Sequence, residues 1–324
     1  MRLEEKFAST IKMIMNECIV QARCKINLHL EVKDRRSDGY HNLESIFLPL
    51  EWGDILYFNV LDQLSICDLQ MVWNIPHRKY IETSGDIPLE KNLVYKAVSL
   101  FRKRTGWDKG IRIVLEKKVP VGAGLGGGSS DAAVTLCTLD ALSGTRLSFG
   151  DLCEMAAELG SDVPFFLYNT PAYVSGKGDH IRKIACPWNF WVLLAIPDFE
   201  SKTVSAFHIL DKEREYDGEF SYISERKSSL TEKDLIDGLM VHPSKWRYYY
   251  NDFLPSFLRG EHKREYSAIF KTIENGKADF FSLSGSGSSC FGIFSYKQSA
   301  EYTGKLLADD KNFVQIIQFT SCIF

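Results

Sequence analysis

Apolar and polar residues alternate strictly over residues 24–32, and the polar positions include Lys25, Asn27 and His29. Because successive side chains of a strand point to opposite faces, this alternation predicts a half-buried strand. The three polar side chains are then predicted to lie together on the face that points away from the core. Turn-forming residues at 34–39 follow this strand.

Similar patterns predict further strands and helices along the chain. Apolar or alternating runs predict strands at 43–50, 55–61, 111–115, 191–196 and 289–294. Apolar residues at helical spacing predict helices at 93–101, 129–142, 148–160 and 231–240. Strands and helices are mixed along the chain, which is typical of an α+β fold.

A turn that contains Asp162 is predicted directly after the helix at 148–160. Gly160 is expected to end that helix, since glycine adopts the backbone conformations that stop a helix. Pro164 biases Val163 toward an extended conformation, which places Asp162 in a loop.

A change in composition divides the sequence into two lobes. Beyond about residue 175 the chain becomes more polar, and the boundary is predicted near Gly178. The predicted division is an N-terminal extension at 1–15, an N-terminal domain at 16–178 and a C-terminal domain at 179–324. Met13 or Met15 offers an alternative start, which would make the leading segment dispensable.

Charge and hydropathy disfavour several classes of protein. The 324 residues include 39 Lys and Arg against 42 Asp and Glu, for a net charge of −3. Such an even balance of charges disfavours a nucleic-acid or anionic-membrane binder. No apolar stretch approaches the roughly 20 residues that span a bilayer. The eight cysteines have no zinc-like spacing, and Cys137, Cys153 and Cys290 lie among apolar neighbours. These features predict reduced, buried thiols and a cytoplasmic protein.

The most informative stretch is a glycine-rich segment. Five glycines occur within residues 122–128, directly before the helix predicted from Ser129. Glycines let backbone amides approach a ligand closely, and amides at a helix N-terminus bind phosphate. A flexible hairpin or a tight packing turn is the alternative, but the immediate helix start favours phosphate binding. The candidate phosphate-binding residues are Pro120, Gly122, Gly124, Gly126, Gly127, Gly128, Ser129 and Ser130.

This segment fails to match three common phosphate loops. Gly122, Gly124 and Gly127 have the dinucleotide-binding spacing, but a second helix follows where a strand ending in an acidic residue is required. No lysine follows the glycines, as a P-loop would require. The companion motifs of a protein-kinase glycine loop are absent from the sequence.

Five ordered motifs resemble those of the GHMP kinase superfamily. They are KINL at 25–28, DGYH at 38–41, GGGSSDAA at 126–133, GSDVPFF at 160–166 and SGSG at 284–287. Within the superfamily, this set is most similar to the family of 4-diphosphocytidyl-2-C-methyl-D-erythritol kinases. The resemblance implies a two-lobed α+β fold, with an N-terminal lobe like ribosomal protein S5 domain 2 and a ferredoxin-like C-terminal lobe.

The resemblance also implies an activity, which is ATP-dependent phosphorylation of the 2-hydroxyl of 4-diphosphocytidyl-2-C-methyl-D-erythritol in non-mevalonate isoprenoid biosynthesis. Mg²⁺ is expected with ATP, because it neutralises developing phosphate charge. Asp162 would take the hydroxyl proton, while Lys25 would stabilise the transferring phosphoryl group and keep Asp162 ionised. Without the resemblance, Asp162 would fit a loop carboxylate that caps an amide equally well, and Lys25 would fit a solvated strand lysine.

The acceptor would be a small molecule that carries a cytidine diphosphate group. By resemblance, Tyr40 stacks on the cytosine ring, His41 hydrogen-bonds its polar edge, and Phe207 covers its other face. Asn27 would contact the methylerythritol group. The alternative for Tyr40 and His41 is a hairpin turn with incidental aromatic residues.

On the nucleotide side, the resemblance places Asn92 and Leu93 along the adenine pocket. Lys117 precedes the glycine segment closely enough to reach a phosphate or the adenine, although it also fits a solvated strand end. Residues 284–289 resemble a second glycine loop that brackets the phosphates, and an ordinary Gly-Ser loop is the alternative.

Three other functions stay open at this point. One is a different GHMP kinase that acts on mevalonate, homoserine or a sugar, for which the Tyr40–His41 pair would have no base to bind. The second is a catalytically silent nucleotide-binding regulator, which the presence of both Lys25 and Asp162 disfavours. The third is an NAD-binding oxidoreductase.

Overall fold

The computed structural model describes residues 11–14, 17–75, 87–216, 230–309 and 314–321. Its internal contacts divide the chain into two compact units. The first unit contains residues 1–24, 52–121 and 126–169, and the second contains residues 25–51, 122–125 and 170–324.

These units are not contiguous in sequence, unlike the predicted domains 16–178 and 179–324. Segments 25–51 and 122–125 lie within the predicted N-terminal domain but belong to the second unit. For 25–51 the cause is that two long strands, at 17–35 and 41–64, each contribute residues to both units.

The first unit contains a mixed sheet and helices. Its strands are β1 (Ile11–Ile14), the start of β2 (Glu17–Arg35), the end of β3 (His41–Leu64), β4 (Cys67–Trp73) and β5 (Lys109–Lys117). Its helices are a 3₁₀ turn (Leu89–Lys91), α1 (Leu93–Thr105), α2 (Gly127–Ser143), α3 (Phe149–Leu159) and α4 (Val163–Tyr168). The strand order is β1-β2-β3-β5-β4, and β4 is parallel to β5.

Local sequence signals explain where these helices begin and end. Asn92 caps the first turn of α1, and left-handed glycines with φ of 74° and 68°, Gly106 and Gly144, end α1 and α2. A capping box between Ser148 and Asp151 starts α3. The predicted helices at 93–101, 129–142 and 148–160 are therefore confirmed.

The second unit contains the remaining elements. Its strands after β3 are β6 (Ala172–Gly176), β7 (His180–Lys183), β8 (Trp191–Pro197), β9 (Phe280–Leu283), β10 (Cys290–Phe294) and β11 (Val314–Ser321). Its helices are α5 (Thr203–Tyr216), α6 (Glu232–Asp237), 3₁₀ turns at Gly238–Met240 and Pro243–Lys245, α7 (Leu254–Arg259), α8 (Lys263–Asn275) and α9 (Lys297–Asp309).

Strands β8 to β11 form a four-stranded sheet in the order β11-β8-β10-β9. All pairs in this sheet are antiparallel, and helices separate β8 from β9 and β10 from β11 along the chain. This arrangement is the β-α-β-β-α-β topology of a ferredoxin-like sheet, so the expected fold of the C-terminal lobe is confirmed. Side chains from β8, β9, β10 and α8 form a buried apolar cluster there, with Tyr266 and Phe294 among its largest members.

Two local predictions need correction. The strands expected at 43–50 and 55–61 are one continuous strand, β3. Residue 53 within it is a glycine because a Cβ there would lie 1.9 Å from the Ala22 carbonyl oxygen. Within the predicted extension, Ile11–Ile14 forms a strand that pairs with β2. Val163 is helical rather than extended, since proline is tolerated in the first turn of a helix such as α4.

The predicted burial of the cysteines is confirmed at Cys137 and Cys290, which lie inside α2 and β10, whereas Cys153 is only half-buried. Burial raises the pKa of Cys137 to about 12 and also raises that of Cys290. These thiols therefore pack as small apolar groups. Within the part of the chain that the structure describes, every helix is too short or too polar to cross a lipid bilayer.

Candidate functional site

The first half of the glycine segment, residues 122–125, belongs to the second unit and is held there by backbone hydrogen bonds. The Leu125 carbonyl accepts from the Lys25 amide at 3.0 Å, and the Ala123 carbonyl accepts from the Ser289 amide at 3.2 Å. Strand β2 and the 284–289 loop thus both contact this segment. The position of Lys25 in β2 is therefore beside the predicted phosphate loop.

Gly124 lies where the two glycine-rich loops meet. The hydroxyl of Ser284 donates to the Gly124 carbonyl at 2.9 Å. A Cβ on Gly124 would lie 2.2 Å from the Ser284 carbonyl oxygen and 2.7 Å from that of Gly287, and its φ of 75° is left-handed. Glycine is thus required here by close backbone packing within the protein, as well as by its dihedral angle.

The second glycine loop, residues 284–289, is closed by its own backbone and held by the side chain of Asn251. The Ser284 amide donates to the Ser289 carbonyl at 2.9 Å, which closes the loop. The buried amide of Asn251 donates to the Leu283 and Gly285 carbonyls at 2.9 and 2.8 Å. This support is inconsistent with a flexible Gly-Ser linker, and the predicted contact with phosphates stays a prediction.

The second half of the glycine segment forms the N-terminus of α2 in the first unit. Gly126 precedes the helix with a left-handed φ of 71°, and its carbonyl accepts from the Ser130 amide at 3.0 Å. No side chain among the described residues caps this N-terminus. The first amides of a helix lack partners within the helix, so those before Ser130 are suited to bind an anion. Gly128 is exposed, and Ser129 is half-buried.

A buried charge cluster of Asp54, Lys117 and Asp131 lies beneath this helix start. The Lys117 ammonium contacts both carboxylates, at 2.8 Å for Asp131. The second oxygen of Asp54 accepts from the amides of Lys118 and Val119 at 2.5 and 2.8 Å. The cluster therefore joins the backbone just before the glycine segment to the first turn of α2 just after it.

Burial and charge act against each other in the cluster. Burial alone would lower the pKa of Lys117, but the Asp131 and Asp54 carboxylates outweigh it and raise that pKa. Burial raises the pKa of Asp131 to about 8, although Lys117 opposes this shift. Lys117 is consequently not the solvated strand end that its sequence context allows, and its predicted contact with the nucleotide stays a prediction.

Two further nucleotide-side candidates lie close to the same loop. The side chain of Asn92 accepts from the Val94 amide at 2.9 Å, and this helix cap accounts for asparagine at the position. A methyl group of Leu93 lies 3.7 Å from the point that a Cβ on Gly128 would occupy. Leu93 is thus adjacent to the N-terminus of α2, and the adenine contacts of both residues stay predictions.

Asp162 occupies the turn between α3 and α4 in the first unit. It is half-buried and immediately precedes α4, but its side chain does not cap that helix. The loop position predicted for it is confirmed. Lys25 belongs to the second unit, and the predicted meeting of Asp162 with Lys25 at the transferred phosphoryl group stays a prediction.

The polar face of β2 is buried, which corrects the prediction of a half-buried strand. Lys25 and Asn27 are 3% and 2% exposed. The Lys25 ammonium donates to the Asn27 side-chain oxygen at 2.5 Å and lies 4.6 Å from the Phe47 ring centre. The Asn27 amide donates in turn to the hydroxyl of Ser45 at 3.0 Å. Buried polar groups need such partners, and a lysine retained in this setting favours a functional role over a solvated one.

His29 continues this buried polar face and is neutral. Burial lowers its pKa to about 4, and its Nδ1 atom accepts from the Tyr250 amide at 3.3 Å. The hydroxyl of Ser45 donates to the His29 carbonyl. The Tyr250 ring packs edge-on against the imidazole at 4.6 Å between ring centres, so the face is covered by residues distant in sequence.

The predicted base-binding residues lie near each other in the second unit. Tyr40 is 59% exposed, and the Lys177 ammonium lies 5.6 Å from its ring centre. His41 is buried, stacks on Phe207 with ring centres 5.0 Å apart, and contacts Asp211 through its Nε2 atom at 2.8 Å. The structure thus brings His41 and Phe207 together, and their contacts with a base stay predictions.

Sequence reasoning missed the residues that support these side chains. Asp54, Ser45, Asp211 and Asn251 belong to none of the five motifs. A carboxylate such as Asp54 next to the apolar run at 55–61 is unusual, since charged residues are rarely buried without a partner. That signal was present in the sequence, but it did not identify the partner.

Comparison with known proteins identifies the family. The GHMP kinases N terminal domain family matches residues 92–170. The 4-diphosphocytidyl-2-C-methyl-D-erythritol kinase of Thermodesulfovibrio yellowstonii is 35% identical over 281 residues, which cover 87% of this chain and 91% of that protein. The chain belongs to the 4-diphosphocytidyl-2-C-methyl-D-erythritol kinase family. The resemblance drawn from the five motifs is therefore confirmed.

Solved structures agree with this assignment. A crystal structure of 4-(cytidine 5'-diphospho)-2C-methyl-D-erythritol kinase matches with a TM-score of 0.72 at 28% identity, covering 94% of this chain and 98% of that one. The homoserine kinase of Cytophaga hutchinsonii matches with a TM-score of 0.72 at 19% identity, covering 95% and 96%. At that identity the second match shows the fold alone, which is that of a GHMP kinase.

Proposed function

We propose that the protein transfers the γ-phosphate of ATP to the 2-hydroxyl of 4-diphosphocytidyl-2-C-methyl-D-erythritol. Relatives with this name support the substrate, since the family is shared over most of the chain. One structural observation carries the proposal, which is the hydrogen bond between the Lys25 amide and the Leu125 carbonyl. It fixes the strand that carries Lys25 and Asn27 against the glycine segment, as phosphoryl transfer to an alcohol requires of a phosphate loop and a cationic side chain.

The phosphate loop binds the triphosphate through backbone amides at the start of α2. Since none of the described side chains caps this helix, those amides are left to the nucleotide in this proposal, and the helix dipole adds favourable potential for an anion. The hydroxyls of Ser129 and Ser130 add donors on the same turn. Asn92, Leu93 and Lys117 complete the nucleotide side in this proposal.

Asp162 acts as the general base in this proposal, and Lys25 stabilises charge on the transferring phosphoryl group. A carboxylate removes the acceptor hydroxyl proton as the oxygen attacks phosphorus, and a nearby ammonium favours the ionised form of that carboxylate. Asp162 lies in a short turn between two helices. The Lys25 backbone amide donates a hydrogen bond to the Leu125 carbonyl, and its ammonium donates one to Asn27. Both side chains are thereby attached to ordered elements.

The acceptor side consists of Asn27, Tyr40, His41 and Phe207. The exposed ring of Tyr40 offers a stacking surface for cytosine, and His41 offers a polar ring atom for the edge of the base. Mg²⁺ accompanies ATP in this proposal because it neutralises phosphate charge, and such ions are held largely by the substrate phosphates.

A coupled ADP-release assay across a panel of acceptors tests the proposed substrate. The panel contains 4-diphosphocytidyl-2-C-methyl-D-erythritol, the same alcohol without the cytidine diphosphate group, mevalonate, homoserine and galactose. We expect turnover with the first acceptor alone. Faster turnover with any of the others would assign a different kinase activity, and no turnover with all of them would favour a silent nucleotide-binding protein.

Alanine variants test the two catalytic assignments. We expect Asp162→Ala and Lys25→Ala each to lower kcat by about 10² or more, while nucleotide binding stays nearly unchanged. The matched controls are Asp62→Ala and Lys271→Ala, which remove exposed side chains of the same two types from the first and second units. Turnover near wild type in either catalytic variant would remove that residue from the mechanism.

A further inference from the structure

Asp211 supports the imidazole of His41 from a segment of the sequence that carries none of the five motifs. It lies on α5, one turn after Phe207, and its carboxylate oxygen is 2.8 Å from His41 Nε2. Phe207 holds the same imidazole from one face with an angle of 22° between the rings, and Phe253 packs edge-on against Phe207. The plane and the rotation of the imidazole are thus both fixed.

The contact determines which ring nitrogen of a neutral His41 carries the proton. A carboxylate only accepts hydrogen bonds, so Nε2 must be the donor to Asp211. In a neutral imidazole the other nitrogen, Nδ1, is then an acceptor that points away from Asp211. The His41 side chain is 6% exposed and that of Asp211 is 23% exposed, so the pair is shielded enough to hold this arrangement.

An acceptor at Nδ1 distinguishes the two pyrimidines of nucleoside diphosphates. Cytosine presents an amino donor at its 4-position, whereas uracil presents a carbonyl acceptor at the equivalent atom. An Nδ1 lone pair therefore binds cytosine and repels uracil, and the opposite tautomer would reverse that preference. A wrong pairing of this kind is discriminated strongly because it leaves buried polar groups without partners.

We propose that Asp211 is a positioning residue that determines the preference of the enzyme for cytidine over uridine, by fixing His41 as the Nε2–H tautomer. This inference rests on the proposed function, in which His41 reads the edge of the base. It assigns the selectivity to a residue that does not itself touch the substrate.

The first test compares acceptors that carry cytidine or uridine diphosphate, in the full-length protein at pH 8, where ordinary imidazoles are neutral. We expect Asp211→Asn to lower the ratio of kcat/KM for cytidine over uridine by about tenfold, because an amide donates to Nε2 as readily as it accepts from it. The KM for ATP should stay unchanged. Glu215→Gln is the matched control, since Glu215 is an exposed carboxylate one turn further along α5.

His41→Ala separates failure of this inference from failure of the proposed function. If His41→Ala lowers the ratio and Asp211→Asn leaves it at the wild-type value, the role of Asp211 is wrong and the proposed function stands. If His41→Ala also leaves the ratio unchanged, His41 does not read the base, and the inference falls with that part of the proposal.

Nitrogen-15 NMR of the imidazoles gives a second readout that needs no substrate. We expect the wild-type His41 ring to show a protonated Nε2 and an unprotonated Nδ1, with its signals assigned by their loss in His41→Gln. Asp211→Asn should shift this ring toward a mixture of tautomers, and Glu215→Gln should not. A wild-type ring protonated at Nδ1 would overturn the inference even if the Asp211 variant failed to fold.

Discussion

The two halves of the glycine segment are held by different kinds of interaction. In the second unit, residues 122–125 are fixed by backbone bonds from Lys25 and Ser289 and by the hydroxyl of Ser284. In the first unit, the residues on either side of the loop are joined through the buried Lys117, which contacts Asp54 on the strand side and Asp131 on the helix side.

This difference means that one substitution can remove a side-chain contact in the first unit but not a backbone hydrogen bond in the second. A side-chain carboxylate is lost in a single change, and the remaining charges are then buried without full compensation. Backbone donors and acceptors survive almost any substitution, so residues 122–125 should be more sensitive to added volume than to the loss of one side chain. The predictions below test this contrast.

The largest effect is expected from Asp54→Ala. The change leaves the Lys117 ammonium with one fewer carboxylate and deprives the Lys118 and Val119 amides of their acceptor. Breaking a buried charge network costs about 3–5 kcal/mol, and the KM for ATP should rise because the loop loses its anchor. Urea denaturation and steady-state kinetics measure the two effects.

The control for Asp54 is Asp68→Ala, which removes a half-exposed carboxylate paired with Arg112 on the same sheet. Such a surface pair is worth about 0–1 kcal/mol, and ATP kinetics should not change. Equal losses of stability in the two variants would show that the buried cluster is not an anchor.

Gly124→Ala should come next. The added methyl group would lie 2.2 Å from the Ser284 carbonyl oxygen, at a φ of 75°, so the loops must separate. We expect a loss of about 2 kcal/mol or more, with a higher KM for ATP. Gly106→Ala is the control, since Gly106 has a φ of 74° with nothing within 4 Å of the added methyl group. It should cost only the left-handed penalty of about 1–2 kcal/mol, and an equal effect of both changes on ATP binding would contradict the packing argument.

Asp131→Asn should alter the pH dependence of stability. Burial raises the pKa of Asp131 in the folded protein to about 8, whereas the unfolded chain releases this proton near the ordinary aspartate pKa of 3.8. The folded state therefore binds more protons between these values, and this carboxyl makes the free energy of unfolding fall as pH rises through that window. In Asp131→Asn this contribution to the pH dependence of the free energy of unfolding should be absent.

Urea denaturation from pH 5 to 8 checks that prediction. The stability of the wild type relative to Asp131→Asn should decrease by at least about 1.4 kcal/mol, the value of one pKa unit, as pH rises. Glu154→Gln, at an exposed position of α3, should follow the wild-type curve. Parallel curves for wild type and Asp131→Asn would show that Asp131 titrates normally.

Ser284→Ala should have the smallest effect. It removes the hydroxyl bond to the Gly124 carbonyl but leaves the backbone bonds of Ala123 and Leu125 in place. We expect a loss of about 1 kcal/mol and a change of less than about threefold in the KM for ATP, corresponding to less than about 0.7 kcal/mol. An effect on ATP binding as large as that of Gly124→Ala would mean that the side chain, rather than the backbone, holds the loop.

The sequence predicted most of the local structure because its signals are local. The capping box at Ser148 and the glycines at Gly106 and Gly144 act within one helical turn, so each can be read without knowing the fold. The buried polar face of β2 could not be predicted in the same way. Alternation shows that two faces differ, but the residues that cover the polar face, Phe47 and Tyr250, come from distant segments.

The site was predicted where motifs mark it and missed where support comes from elsewhere. Lys25, Asp162 and the glycine segment lie within motifs, whereas Asp54 meets Lys117 across 63 positions and Asp211 meets His41 across 170. Pairs at such separations depend on strand pairing and helix packing. A single sequence does not encode them in any local pattern.

The course of β2 and β3 through both units limits how this enzyme can be recombined with its relatives. A chimera that exchanges everything after residue 178 would leave 25–51 and 122–125 behind, although these segments pack with the exchanged part. Foreign sequence would then have to match the Leu30–Asn251 bridge and the hydrogen bond from the Ser289 amide to the Ala123 carbonyl. A chimera that exchanges the whole second unit must therefore replace three separate segments, 25–51, 122–125 and 170–324, rather than use one crossover.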